Sequence, residues 1–215
     1  MKGKCFICGK TLSKVGMTRH LKTHLKDDGD TRLFHIVIDG LYRREYWLHI
    51  EIKADAKLKD LDKFLRDIWL ECCGHLSAFE INGVKYYSLS EDENDMNYND
   101  MNYRLDRVLS VGMEFYYIYD FGTPTELRLK VVGERMGKAE KMVRILARNN
   151  PPDIRCKCGE KAKWVCAKCF VENLGENCYF CEKCAKKHKC EKEMLLPVVN
   201  SPRCGVCGYE GGKYD

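Results

Sequence analysis

Residues 44–73 read REYWLHIEIKADAKLKDLDKFLRDIWLECC, and two periodicities meet inside them. Tyr46, Leu48, Ile50 and Ile52 alternate with Trp47, His49 and Glu51, the period of two that a strand requires. After Lys57 the period changes. Leu58, Leu61, Phe64, Leu65, Ile68 and Cys72 recur at helical spacing, which predicts a helix packed on a sheet. Gly74 supplies the stop.

Working outward, TRLFHIVID (31–39) reads as a strand before this segment. AFEINGVKYYSL (78–89) places Asn82-Gly83 between two apolar runs, a hairpin signal. EDENDMNYNDMNYRLD (91–106) is acidic, lacks the ligand order of a calcium loop and reads as a solvated loop, with room for one turn of helix. MEFYYIYDFG (113–122) and ELRLKVVGE (126–134) form a second antiparallel pair around a turn at Gly122-Thr123-Pro124. Asp120 is expected to fix a turn by accepting from backbone amides, and His35 and His49 to be structural. Asn149-Asn150-Pro151-Pro152 ends this region, and GYEGGKYD (208–215) reads as a frayed end.

The stretch from residue 43 to 87, followed by FYYIYDFGTPTELRL, resembles the plasmid pRiA-type open-reading-frame-three-like family. Two motifs carry the likeness over about residues 31–135: the helix running into Gly74-His75-Leu76-Ser77-Ala78-Phe79, and Tyr119-Asp120-Phe121-Gly122 before a strand. The resemblance implies an α+β fold with an antiparallel sheet and packed helices. It also brings a link to plasmids and mobile elements, and thereby to nucleic acid. Where that family reads Asp-Ser-Trp after the motif, this chain has Thr123-Pro124-Thr125.

The flanks are different in kind. The chain has 14 cysteines, in close pairs with histidines nearby, and the N-terminus MKGKCFICGK has no apolar core of the signal-peptide type. That pattern points to zinc in a reducing compartment rather than disulfides, and to a cytoplasmic location. There is no apolar run long enough for a membrane span, so no membrane partner is expected.

Cys5, Cys8, His20 and His24 follow C-x-x-C, eleven residues, H-x-x-x-H. A tight thiolate knuckle and two imidazoles one helical turn apart close a tetrahedron around zinc. The stretch resembles a two-Cys, two-His finger over residues 1–26, one residue short of the usual twelve-residue spacer, with Leu12 and Met17 at its small core. Residues 154–215 carry Cys156-x-Cys158, Cys166-x-x-Cys169, Cys181-x-x-Cys184, His188-x-Cys190 and Cys204-x-x-Cys207. Four pairs ending in one with histidine resemble a B-box-like, cross-braced module in which pairs one and three share one zinc and pairs two and four the other. A sequential partition, with Cys181, Cys184, Cys204 and Cys207 forming a ribbon, fits the spacing equally, as does a mixed one in which Cys207 replaces Cys190. Cys178 is a spare. Three zinc ions are expected in all, two of them in this tail.

The domain organisation expected is therefore a finger over 1–26, an α+β domain over 31–150 and a cysteine-rich module over 154–215. Formal charge is +4 over residues 1–30, −2 over 31–150 and +3 over 151–215. Zinc-bound thiolates offset the last, so the front alone keeps its positive charge. Lys14, Arg19, Lys22 and Lys26 lie on or near the finger helix and are the candidate contacts to DNA or RNA, Arg19 being the good base reader. The expected function is a non-enzymatic zinc protein associated with nucleic acid. The alternative is an adaptor whose zinc modules, the C-terminal one above all, dock protein partners. Cys72, Cys73 and His75 leave three readings open: small packed thiols beside a backbone-bonded histidine, a Cys–His nucleophile pair, or a further metal site.

Overall fold

A computed structural model describes residues 1–88 and 99–214, so residues 91–98 of the acidic loop lie outside the described set. The chain divides into two compact units, Met1–Leu65 with Leu76–Asn150, and Arg66–His75 with Pro151–Asp215. No helix of the described residues is long and apolar enough to cross a membrane.

The first unit is built on one sheet. Its strands are β1 (Lys2–Cys5), β2 (Thr11–Ser13), β3 (Thr31–Gly40), β4 (Trp47–Lys53), β5 (Ser77–Ile81), β6 (Val84–Tyr87), β7 (Asn99–Asp100), β8 (Glu114–Tyr119), β9 (Thr125–Gly137) and β10 (Val143–Asn149). They lie in the order β2-β1-β10-β4-β3-β9-β8-β5-β6-β7, antiparallel throughout except for the short β6–β7 pair. The helices are α1 (Lys14–Leu21), α2 (Leu58–Leu65) and the single turn α3 (Leu105–Val108). The α+β expectation holds coarsely, in a fold dominated by its sheet. Leu58, Leu61, Phe64 and Leu65 are the buried stripe of α2, as the spacing required. The β5–β6 hairpin turns at Asn82 (φ 50°) and Gly83 (φ 78°), the left-handed pair that a two-residue hairpin loop needs. Asp120 Oδ1 accepts from the amides of Gly122 and Thr123 at 3.0 and 3.1 Å, fixing the turn before β9.

β4 is buried on both of its faces. One face carries Leu48, Ile50 and Ile52. On the other, Trp47 packs with Cys5, Met17, Leu21, Leu146 and Ala147 in a single apolar cluster. His49 Nδ1 lies 3.0 Å from His35 Nε2, and burial holds these two imidazoles down to about 3 and about 4. Glu51 takes Arg135 through both carboxylate oxygens, at 2.5 and 3.0 Å. Arg135 also donates to Asp28 and to the Lys26 carbonyl, so the polar linker after residue 26 is held on β9.

The amino-terminal 26 residues are thus part of this sheet. β1 pairs with β10, Gly3 opposite Asn149 and Cys5 opposite Ala147. Phe6 N–H donates to Leu146 O and Asn150 N–H to Lys2 O. Met17 and Leu21, which a free-standing finger would bury in its own small core, are covered here together with Trp47 and β10.

The second unit holds β11 (Trp164–Cys166), β12 (Tyr179–Phe180) and β13 (Leu195–Pro197) in the order β12-β11-β13, with the short helices α4 (Ala167–Glu172) and α5 (Glu182–Ala185). Val165, Cys178, Leu196 and Cys204 form its small core, packed by Phe170, Tyr179, Val198 and Val199. A π-helical turn, Arg66–Leu70, belongs to this unit although it continues α2 in sequence. Trp69 Nε1 donates to Asn200 O at 3.0 Å, and Ser201 Oγ to Trp69 O at 2.6 Å. Lys213 pairs with Asp67. The periodicity through Ile68 to Cys72 reads as one helix, but the chain leaves α-geometry at Arg66 because its next residues bond to the tail.

Candidate metal centres

Side chains of metal-ligating type gather in four clusters among the described residues: Cys5, Cys8, His20, His24; Cys156, Cys158, Cys181, Cys184; Cys166, Cys169, His188, Cys190; and Cys72, Cys73, His75, Cys207. Within each, the four donor atoms all lie within 4.8 Å of one another. A tetrahedral zinc with Zn–S near 2.3 Å and Zn–N near 2.0–2.1 Å sets edges of about 3.8 Å between sulfurs, about 3.5 Å between sulfur and nitrogen and about 3.3 Å between nitrogens.

In the first cluster Cys5 closes β1 and Cys8 lies in the turn that leads to β2. Gly9, at φ +77°, takes the left-handed backbone that bends the knuckle. Ser13 caps α1 by accepting from Gly16 N–H. His20 sits in the last turn of α1, and His24 in the turn beyond it. Cys8 Sγ–His20 Nε2 and His20 Nε2–His24 Nε2 are both 3.2 Å, close to the tetrahedral edges. Burial, His24 and Lys10 lower the His20 imidazole from its usual value, the direction that favours the neutral form a ligand requires.

The tail clusters interleave. The first pair joins the third, with Cys158 Sγ 3.6 Å from Cys181 Sγ. The second joins the fourth, with Cys169 Sγ 3.5 Å from His188 Nε2 and 3.7 Å from Cys190 Sγ. Of the partitions that the spacing allows, this is the cross-braced one. Cys166 and Cys181 occupy the N-cap positions of α4 and α5, and the His188 ring packs 4.3 Å from that of Phe180.

Cys204 is placed elsewhere. It lies fully buried in the small core with Val165, Cys178 and Leu196. Its pair-mate Cys207 lies instead with Cys72, Cys73 and His75, so the ribbon of Cys181, Cys184, Cys204 and Cys207 is not formed. Cys178 donates to Gly175 O.

The electrostatics of these sites suit a cation. Amides of Cys158 and Cys181 donate to the Cys156 sulfur and bring its thiol down to about 6. In the same cluster, hydrogen bonding to Cys156, Cys158 and Cys181 pushes Cys184 up to about 12. Burial, then contact with Cys166 and Cys190, pushes Cys169 up to about 12. The four sulfurs of the Cys156 cluster can all be thiolates at this distance only with a positive ion among them, and that donor set could hold a metal ion.

The basic residues near the finger helix divide. Lys14 is half-buried and paired with Asp39, which also takes Arg128 through both oxygens at 3.1 and 2.9 Å. Arg19, Lys22 and Lys26 are exposed. The helix ends at Leu21, so Lys22 is its C-cap and Lys26 lies beyond it.

Comparison with known proteins gives one family match. The model described as "Plasmid pRiA4b ORF-3-like protein" matches residues 32–155. No curated protein matches the chain. Among solved structures, the crystal structure of a protein of unknown function, MM3350 from Methanosarcina mazei Go1, aligns with TM-score 0.47 and 16% identity, over 55% of this chain and 68% of that one.

Proposed function

The chain belongs to the plasmid pRiA4b ORF-3-like family, and from that premise we propose a non-enzymatic zinc protein that associates with nucleic acid. The observation that carries this reading is the first cluster. Four protein ligands close a finger whose helix ends in exposed Arg19 and Lys22, with exposed Lys26 beyond it. With four protein ligands per ion, no position stays open for a water or substrate, which makes the metals structural. The family's plasmid description is in keeping with a nucleic-acid role.

Lys14 is engaged with Asp39, so about three side chains are left to meet phosphates, and log K against log salt should fall with a slope of about −3. Removing residues 1–26 would also strip two strands from the sheet, so the test keeps the full chain. Arg19, Lys22 and Lys26 are changed together to Gln, and gel-shift titrations are run at several salt concentrations. Binding should be lost with folding intact; unchanged binding by the triple variant refutes the assignment. The adaptor reading has its own support in Val171 and Leu174, 63% and 94% exposed on the second unit. A protein partner retained after nuclease and high-salt washing would favour it.

A further inference from the structure

We propose that Cys72, Cys73, His75 and Cys207 bind a fourth zinc ion, beyond the three that the finger and the interleaved tail account for. Cys73 Sγ lies 3.5 Å from Cys72 Sγ, 3.0 Å from His75 Nε2 and 3.6 Å from Cys207 Sγ. Cys207 Sγ is 3.6 Å from His75 Nε2. All but the shorter Cys73–His75 separation fall in the range of the other three clusters and near the edges of a zinc tetrahedron. They are too long for disulfides, whose sulfurs stand about 2.05 Å apart.

The local backbone repeats a turn found in two of the other three clusters, and also after the core residue Cys204. Gly74 follows Cys73 at φ +74°, as Gly9 follows Cys8 at +77° and Gly159 follows Cys158 at +91°. A left-handed glycine directly after a cysteine reverses the chain so that amides and sulfur face the same point. Cys207 is itself left-handed, at φ 54°, and its sulfur accepts from Gly208 N–H. Glu71 Oε1 accepts from Gly74 N–H at 2.6 Å and braces the turn.

Arg203 is fully buried, and its guanidinium donates to Cys72 Sγ at 3.5 Å. A zinc with three thiolates and one neutral imidazole would carry −1, a charge that suits a guanidinium in this place. With this site, twelve of the fourteen cysteines have a place in a cluster. The remaining two, Cys178 and Cys204, are buried in the small core. A Cys–His nucleophile pair would use Cys73 and His75 alone, and would not explain the sulfurs of Cys72 and Cys207 around the same point.

The site joins residues 134 positions apart, so no contiguous motif announces it. The test is metal content of the full-length protein after zinc loading and dialysis, with cobalt substitution as a second readout. Wild type should hold four ions, and Cys73→Ser and His75→Ala three each. The wild-type-minus-variant cobalt spectrum should be that of a tetrahedral site with three thiolates. Cys204→Ala should keep four ions. Cys73 is exposed, so its replacement leaves the core untouched, and far-UV circular dichroism checks that the variants fold. Three ions in wild type, or four in both ligand variants, overturns the site. A Cys5→Ser control must lose one ion of its own, which separates failure here from failure of the finger reading.

Discussion

Replacing Leu21 by Ala tests whether the finger's core and the sheet's edge are one structure. Leu21 is fully buried against Trp47, Leu146 and Ala147 as well as Met17 and Cys5. The substitution removes three buried carbons, about 2.4 kcal/mol at about 0.8 kcal/mol each. The cavity left behind brings the cost to about 3–4 kcal/mol, inside the usual Leu→Ala range of about 2.7–5.0 kcal/mol. Two amides report on the docking of β1 against β10: Phe6 N–H, bonded to Leu146 O, and Asn150 N–H, bonded to Lys2 O. In zinc-loaded protein their hydrogen-exchange protection should fall roughly a hundredfold or more, since about 1.4 kcal/mol is a factor of ten. The same substitution in chelated protein should cost under about 1 kcal/mol. If zinc holds the finger as proposed, its helix should be unfolded without metal, with Leu21 already out of the cluster. A loss below about 0.5 kcal/mol in the loaded protein would refute the shared core. An equal loss with and without metal would refute its dependence on zinc.

Acid should weaken the first unit through the imidazole pair. Burial holds His35 at about 4 and His49 at about 3, against about 6.5 in the unfolded chain, so below pH 6.5 the unfolded state takes up more protons. Stability should therefore decline as pH falls from about 6.5 towards 4, and urea midpoints of a His35→Leu, His49→Leu variant should decline less over that window; parallel curves would exclude the pair as a cause. Gly3→Ala should detach β1, because the new Cβ meets the Arg148 carbonyl oxygen and the Trp47 ring, and backbone cannot yield as a side chain does. Exchange at Phe6 should rise to that of an open strand while the β3–β9 amides keep their protection, and unaltered exchange at Phe6 would show that the close approach is relieved at no cost.

Much of the site is legible in the chain because knuckle and helix are local. Cys5-x-x-Cys8 and His20-x-x-x-His24 need only a turn and one helix, so spacing alone brings those side chains to one point. The interleaved tail is legible as ligands but not as partition, since pairs one to four satisfy either grouping until β11 and the short helices set the order. Cys207 is misplaced by spacing. Cys204-x-x-Cys207 has the form of a knuckle, yet Cys204 turns into the small core and Cys207 meets residues from the middle of the chain. In the fold, the alternation through β4 is right and the Asn82-Gly83 hairpin forms. The alternation does not say what covers Trp47, and that is the finger itself, a long-range contact that no local period encodes.

The second unit draws Arg66–His75 from the middle of the chain, and this sets a timetable for its birth. Ser201, which bonds to Trp69 O, is 132 residues further on. At about 5–20 residues per second a ribosome delivers it roughly 7–26 seconds after Trp69. For that interval the central sheet can assemble while the indole of Trp69 and the thiols of Cys72 and Cys73 wait for partners not yet made. Nascent chains stalled before residue 200 should therefore be the form most exposed to oxidation and chaperone capture.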